Sequence, residues 1–208
     1  MKPSGFRERG DGITSSLYER RLDDGDISAL GRLIGPERPR FAADAIEIEL
    51  PSGLMSCRSL AFPLSGDQSA FVNITSDWIQ IPYDDFHLLK AVITPVPEGI
   101  TVSPIAGREA NSVGPCSWIE LSDFGPLRCI EIVSYEIDDE VTRGDDGPVI
   151  AHEIVRYDRA LRLRFAGGRV LTLSTQHGSI LGAIEIRSGE DIGNVEPHAR
   201  IEIRHTLN

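Results

Sequence analysis

Tyr157-Asp158-Arg159-Ala160-Leu161-Arg162-Leu163-Arg164-Phe165-Ala166-Gly167-Gly168-Arg169-Val170-Leu171-Thr172-Leu173-Ser174 is a pair of alternating segments meeting at two glycines. Leu161, Leu163 and Phe165 share one side of an extended chain and Arg162 and Arg164 the other, the pattern of a half-buried strand. The glycines supply a turn. With Ala166-Gly167-Gly168 as a three-residue loop and Gly168 at positive φ, Leu163 faces Leu171, Leu161 faces Leu173, and Arg162 faces Thr172 on the solvent side. A two-residue Gly-Gly loop sets Leu171 against Arg164, so matching of faces selects the longer loop.

The same period of two recurs outward from this hairpin. Ile46, Ile48 and Leu50 alternate with Glu47 and Glu49. A turn over Pro51-Ser52-Gly53-Leu54 then sets Glu47 opposite Arg58 and Ile48 opposite Cys57. Residues 70–74 and 78–81 read as a further pair around Thr75-Ser76-Asp77, and 118–121 as a short strand. Residues 127–137 carry apolar side chains on both faces, Leu127, Cys129, Val133 and Tyr135 against Ile130 and Ile132, which places that strand centrally. Strands over 150–157, 180–187 and 200–205 complete the set, the last an edge candidate in which Ile201 and Ile203 alternate with charges.

Two short helices are expected. Asp26 caps 27–34, which Gly35-Pro36 stops; Asp84 or Asp85 caps 85–91, which Pro95 and Pro97 end. The fold class that follows is all-β, a mainly antiparallel sandwich or barrel with two short helices. Residues 1–24 are polar and without period, and predict a loosely ordered segment. Residues 25–208 form a single β-rich domain, with a pseudo-division into 37–100 and 117–208 left open by the proline- and glycine-rich stretch 94–117.

Composition narrows the function classes. The chain has 208 residues, 32 acids and 21 bases, for a formal net charge of −11. The excess is global, −5 over residues 1–104 and −6 over 105–208. Such a surface repels nucleic acid and anionic membrane and speeds encounter with a basic protein. Cys57, Cys116 and Cys129 form no CxxC pair and read as small buried hydrophobes in a reducing cytoplasm. No run approaches the roughly 18 apolar residues that span a bilayer, and no signal peptide is legible, so a cytoplasmic location is expected.

No catalytic or cofactor signature is present. His87, His152, His177, His198 and His205 lack HxH and HExxH spacing, leaving open only a metal site assembled across strands. There is no GxSxG, and Cys116 has no neighbouring base in sequence. Asp84-Asp85 read as caps. Gly167-Gly168 joins two strands and does not open a helix, so it is no phosphate loop. The most function-like feature is the stretch 138–146, read as an exposed loop that places Asp138, Asp139, Glu140, Asp145 and Asp146 against Arg143. Its spacing fits a calcium loop poorly. A docking surface for a basic partner suits it better.

The expected function is therefore a non-catalytic cytoplasmic protein-binding module without cofactor. Its type is that of an acidic immunity or inhibitor protein, which neutralises a basic toxin or enzyme through complementary charge. The alternative is a β-barrel enzyme or small-ligand-binding protein, and a homo-oligomer paired through edge strands is a third reading.

Overall fold

The computed structural model describes residues 1–8, 10, 12–35, 40–44, 46–49, 54–64, 67–82, 85–95, 116–121, 123–144, 147–175, 182–196 and 198–208. The glycine turn is built as face matching requires. Leu161 pairs Leu173, Arg162 pairs Thr172 and Leu163 pairs Leu171. Gly168 holds φ +77°, and the loop closes through Phe165 N–H to Arg169 O at 3.0 Å and Gly168 N–H to Phe165 O at 3.0 Å.

Among the described residues the chain forms fourteen strands and one helix, an all-β fold of two sheets. The spine of the larger sheet is the antiparallel ribbon of β10 (Leu127–Thr142) and β11 (Val149–Phe165). The other edge of β11 is shared end to end. β2 (Thr14–Arg20) runs parallel to Glu153–Tyr157, and β12 (Val170–Thr175) antiparallel to Ala160–Arg164. β1 (Gly5–Glu8) extends the sheet beyond β2; β13 (Ile184–Ser188), β5 (Leu54–Cys57) and β4 (Glu47–Glu49) extend it beyond β12. β14 (Arg200–Leu207) pairs with β10 and forms an edge. The smaller sheet runs β8 (Asp85–Thr94), β7 (Asp67–Gln80), β6 (Ser59–Leu64), β3 (Arg40–Asp44), β9 (Cys116–Glu120).

The core follows from how the spine is used. Ile130, Ile132, Leu161, Leu163 and Leu173 cluster with Phe41, Leu60, Val72, Ile74 and Leu89 of the smaller sheet. Val133, Tyr135, Ile137, Val155 and Tyr157 cluster instead with Ile79, Phe86 and Leu88. β10 skips no residue between Cys129 and Val141, and successive side chains of a strand point to opposite faces. The spine therefore buries one face at one end and the other face at the other. That is why 127–137 is apolar on both faces.

The same switch explains the second expected helix, which is absent. Residues 85–91 lie in β8, where Phe86 and Leu88 enter the second cluster and Leu89 and Ala91 the first. A strand that changes its buried face midway spaces its apolar residues like a helix. The first helix, α1, spans Asp24–Gly31, and its cap is Asp23. Asp26 completes a capping box, its carboxylate accepting from Asp23 N–H at 2.9 Å while Asp23 accepts from Asp26 N–H at 2.9 Å. Asp26 also accepts from Ala91 N–H and from Lys90 Nζ, docking the helix on β8.

Three further readings change. Within the segment 1–24, read from sequence as without period, residues 5–8 and 14–20 form β1 and β2, which extend the larger sheet. β7 runs through Thr75-Ser76-Asp77 without a turn, and the hairpin reverses after Gln80, which pairs Asp85. In the β4–β5 hairpin Glu47 pairs Ser56 and Ile48 pairs Met55, a slip of two from the expected register. A slip of two keeps every side chain on its face, so alternation alone does not distinguish the two registers. Of the stretch 94–117, residues 96–115 lie outside the described residues.

Gly168 tests the opening turn. Because φ is left-handed there, Gly168→Ala should lower unfolding free energy by about 1–2 kcal/mol, and Gly168→Asn by less. Denaturant titration measures both. An alanine variant as stable as the parent would mean a different turn.

Candidate functional site

On the face of β10 that carries Ile130 and Ile132, the next residues are Ser134 and Glu136. They pair with Asp158 and Arg156 on β11, and with Glu202 and Arg200 on β14. Here the face is polar. Asp158 is only 1% exposed, and donors surround it. Arg204 grips it through Nε at 3.0 Å and Nη2 at 2.6 Å, Ser134 Oγ donates at 2.7 Å, and the Leu22 N–H donates at 2.8 Å. Arg21 adds a contact at 3.4 Å. Arg204 reaches this carboxylate because β14 skips it in pairing: Ile132 pairs His205 and Val133 pairs Ile203, a bulge that re-aims the extra side chain.

Glu136 stands one pair along, between Arg156 and Arg7. Burial alone would raise its pKa, but hydrogen bonds and charge from Arg156 and Arg7 outweigh that and hold the carboxyl below its ordinary value. With Ser134, Arg156, Arg200 and Glu202 it lines a cleft of about 70 Å³, well under the roughly 300–1,000 Å³ of common small-molecule sites. Glu136 and Asp158 are committed to arginines, so this quarter braces five strands. Sequence reasoning passed over it because its members come from β1, β2, β10, β11 and β14; the one local trace is Asp158, an acid within the alternating run.

Beyond Glu136 and Glu153 the spine outruns its neighbours. Glu140 pairs His152, Val141 pairs Ala151 and Thr142 pairs Val149, with no third strand alongside among the described residues. This two-stranded arm is where the sequence placed a loop. Asp138 and Asp139, opposite Ile154 and Glu153 at its root, and Glu140 are strand residues, all exposed. Asp139 accepts from Glu140 N–H at 2.8 Å. Glu140 lies 3.7 Å from His152 Nδ1. At the tip, Arg143 N–H donates to Pro148 O at 3.1 Å and Thr142 Oγ1 to Gly144 O at 2.9 Å. Asp145 and Asp146 lie outside the described residues. The arm also exposes two large apolar side chains that the sequence reading did not single out, Val149 at 43% and Ile150 at 44%.

The remaining candidates are dispersed. His87 is buried on β8, His152 sits on the arm, His198 and His205 are exposed, and His177 lies outside the described residues. No group of three His, Cys, Asp or Glu that could hold a metal occurs among the described residues. Burial, with Asp44 nearby, pushes the Cys57 thiol up to about 12, so it carries no thiolate at neutral pH. Cys129 is a half-buried free thiol, and Cys116 opens β9. Asp85 is the first residue of β8, a strand, and so is no helix cap; Asp84 lies outside the described residues. No helix among them is long and apolar enough to cross a membrane. Comparison with protein-family models, curated proteins and solved structures finds no match.

Two outcomes test the polar quarter. Asp158→Ala takes away the acceptor of Arg204 and of the Leu22 N–H and should cost about 3–5 kcal/mol in denaturant unfolding; a loss under 1 kcal/mol would show that the network braces nothing. Glu136 binds protons less readily folded than unfolded, so its contribution is present at neutral pH and is lost as pH falls through its lowered pKa. Glu136→Gln should therefore flatten the acid limb of the stability curve below about pH 4.5, read as midpoint against pH.

Proposed function

We propose that the protein is a non-catalytic binding module that docks a basic protein partner on the β10–β11 arm. One observation carries the reading. The arm stands clear of the neighbouring strands and puts exposed carboxylates, Asp138, Asp139 and Glu140, beside exposed Val149 and Ile150. Apolar anchors with charge around them are the make-up of a protein-binding patch, and the net charge of −11 extends the attraction to long range. An inhibitor or immunity protein that neutralises a basic toxin or enzyme is the type this fits. The polar quarter behind the arm holds its root in place through the Glu136–Arg156 and Asp158–Arg204 pairs.

The test is capture from the native cell at low and high salt, run in parallel with arm variants. D138N/D139N/E140Q should slow association about tenfold or more at low salt and leave stability within about 0.5 kcal/mol. Val149→Ser with Ile150→Ser should speed dissociation. A partner retained equally by the parent and both variants would remove the arm from the account.

A further inference from the structure

The opposite face of the spine holds a second polar region, beneath the segment 189–194. On this face Arg187 of β13, Thr172 of β12, Arg162 of β11 and Glu131 of β10 stand in one row, and Glu185, Ser174, Ala160 and Val133 in the next. Sequence alternation marks this as the solvent side of the hairpin. It is not: Thr172 and Ser174 are fully buried. The covering segment is tied down by Thr172 Oγ1 donating to Gly189 O and Arg162 Nε to Glu190 O at 3.1 Å.

Just beyond the second row, next to Ala160, β11 carries a bulge. Val133 pairs Ala160 and Ser134 pairs Asp158, so Arg159 is the extra residue. The bulge turns Arg159 under the covering segment, where its guanidinium lies 4.6 Å from the Tyr135 ring centroid and its Nη2 donates to Asn194 O. Arg159 is 1% exposed, yet Nε and Nη1 have no partner among the described residues. Ser174 Oγ, beside Ala160, and Arg187 Nε are likewise buried and unpartnered. The carboxylates of this region are committed to arginines other than Arg159: Glu131 and Glu190 to Arg164, and Glu185 and Asp191 to the Nη2 and Nη1 of Arg187, which leaves only its Nε, with Asp191 also accepting from the Gly193 N–H. Gly193 adopts φ +82°, and a Cβ there would stand 2.8 Å from Glu185 Oε2, so the backbone itself closes over these groups.

A buried guanidinium with no counter-charge is strongly unfavourable, and a ring face compensates only part of it. Four unpartnered groups able to donate, drawn from adjacent strands, are what a compact oxyanion needs. We infer that Arg159, Ser174 and Arg187 form a binding site for a small oxyanion, phosphate or a carboxylate, held between β11, β12, β13 and the 189–194 segment. Arg159 supplies the charge and Ser174 and Arg187 Nε supply orienting hydrogen bonds. The site is independent of the arm.

Calorimetric titration of the full chain with inorganic phosphate and with acetate, against sodium chloride at matched ionic strength, tests this. Saturable binding of phosphate or of acetate, and not of chloride, is expected, with a matching rise in unfolding midpoint; which anion binds identifies the source. Arg159→Met should abolish it, and Ser174→Ala should weaken it about tenfold. If R159M does not fold, S174A decides alone. No saturable oxyanion binding by the parent, binding equal to that of chloride, or parent-like affinity in S174A and in any folded R159M, would overturn the site.

Discussion

The organising constraint is that the β10–β11 ribbon is buried on opposite faces at its two ends. A sheet that packs one face throughout needs only alternation; a sheet that exchanges faces must also exchange polar and apolar positions midway. The ribbon does so without breaking β10. Ile130 and Ile132 belong to the cluster shared with β6 and β7, and Val133, Tyr135 and Ile137 to the cluster shared with Phe86 and Leu88. Each face is left with a polar half. One half is the Asp158–Arg204 and Glu136–Arg156 network, and the other lies under residues 189–194.

Two bulges sit at the exchange, on the strands that flank β10, one opposite Ile132 and Val133 on β14 and one opposite Val133 and Ser134 on β11. Each turns an arginine onto a polar half. Arg204 meets Asp158, and the pair is closed by Ser134 and the Leu22 amide. Arg159 meets Tyr135 and the Asn194 carbonyl and has two donors without a partner among the described residues. The contrast between half-buried Arg204, gripped by a carboxylate, and buried Arg159, which is not, separates bracing from a place to receive a ligand.

The arm is a consequence of the same geometry. With β14 ending its pairing at Glu136 and β2 beginning at Glu153, the ribbon continues past both neighbours. Its root is fixed by ion pairs and its tip by backbone and hydroxyl hydrogen bonds. Exposed carboxylates and Val149 and Ile150 are thus presented on a supported surface.

Local alternation was enough to give the all-β class, the three-residue glycine loop, the register of Leu161 with Leu173, and the acidic character of 138–140. These depend on neighbours in sequence and on a period of two. Alternation did not give the β4–β5 register, because a slip of two is silent, nor β8, whose change of buried face mimics helical spacing. Tertiary structure alone decided that Thr172 and Ser174 are covered, that Asp158 is met by Arg204 from 46 residues away, and that Arg159 lies buried without a counter-charge among the described residues. Those outcomes depend on which segment crosses which face, and no single strand's pattern records what will be laid over it.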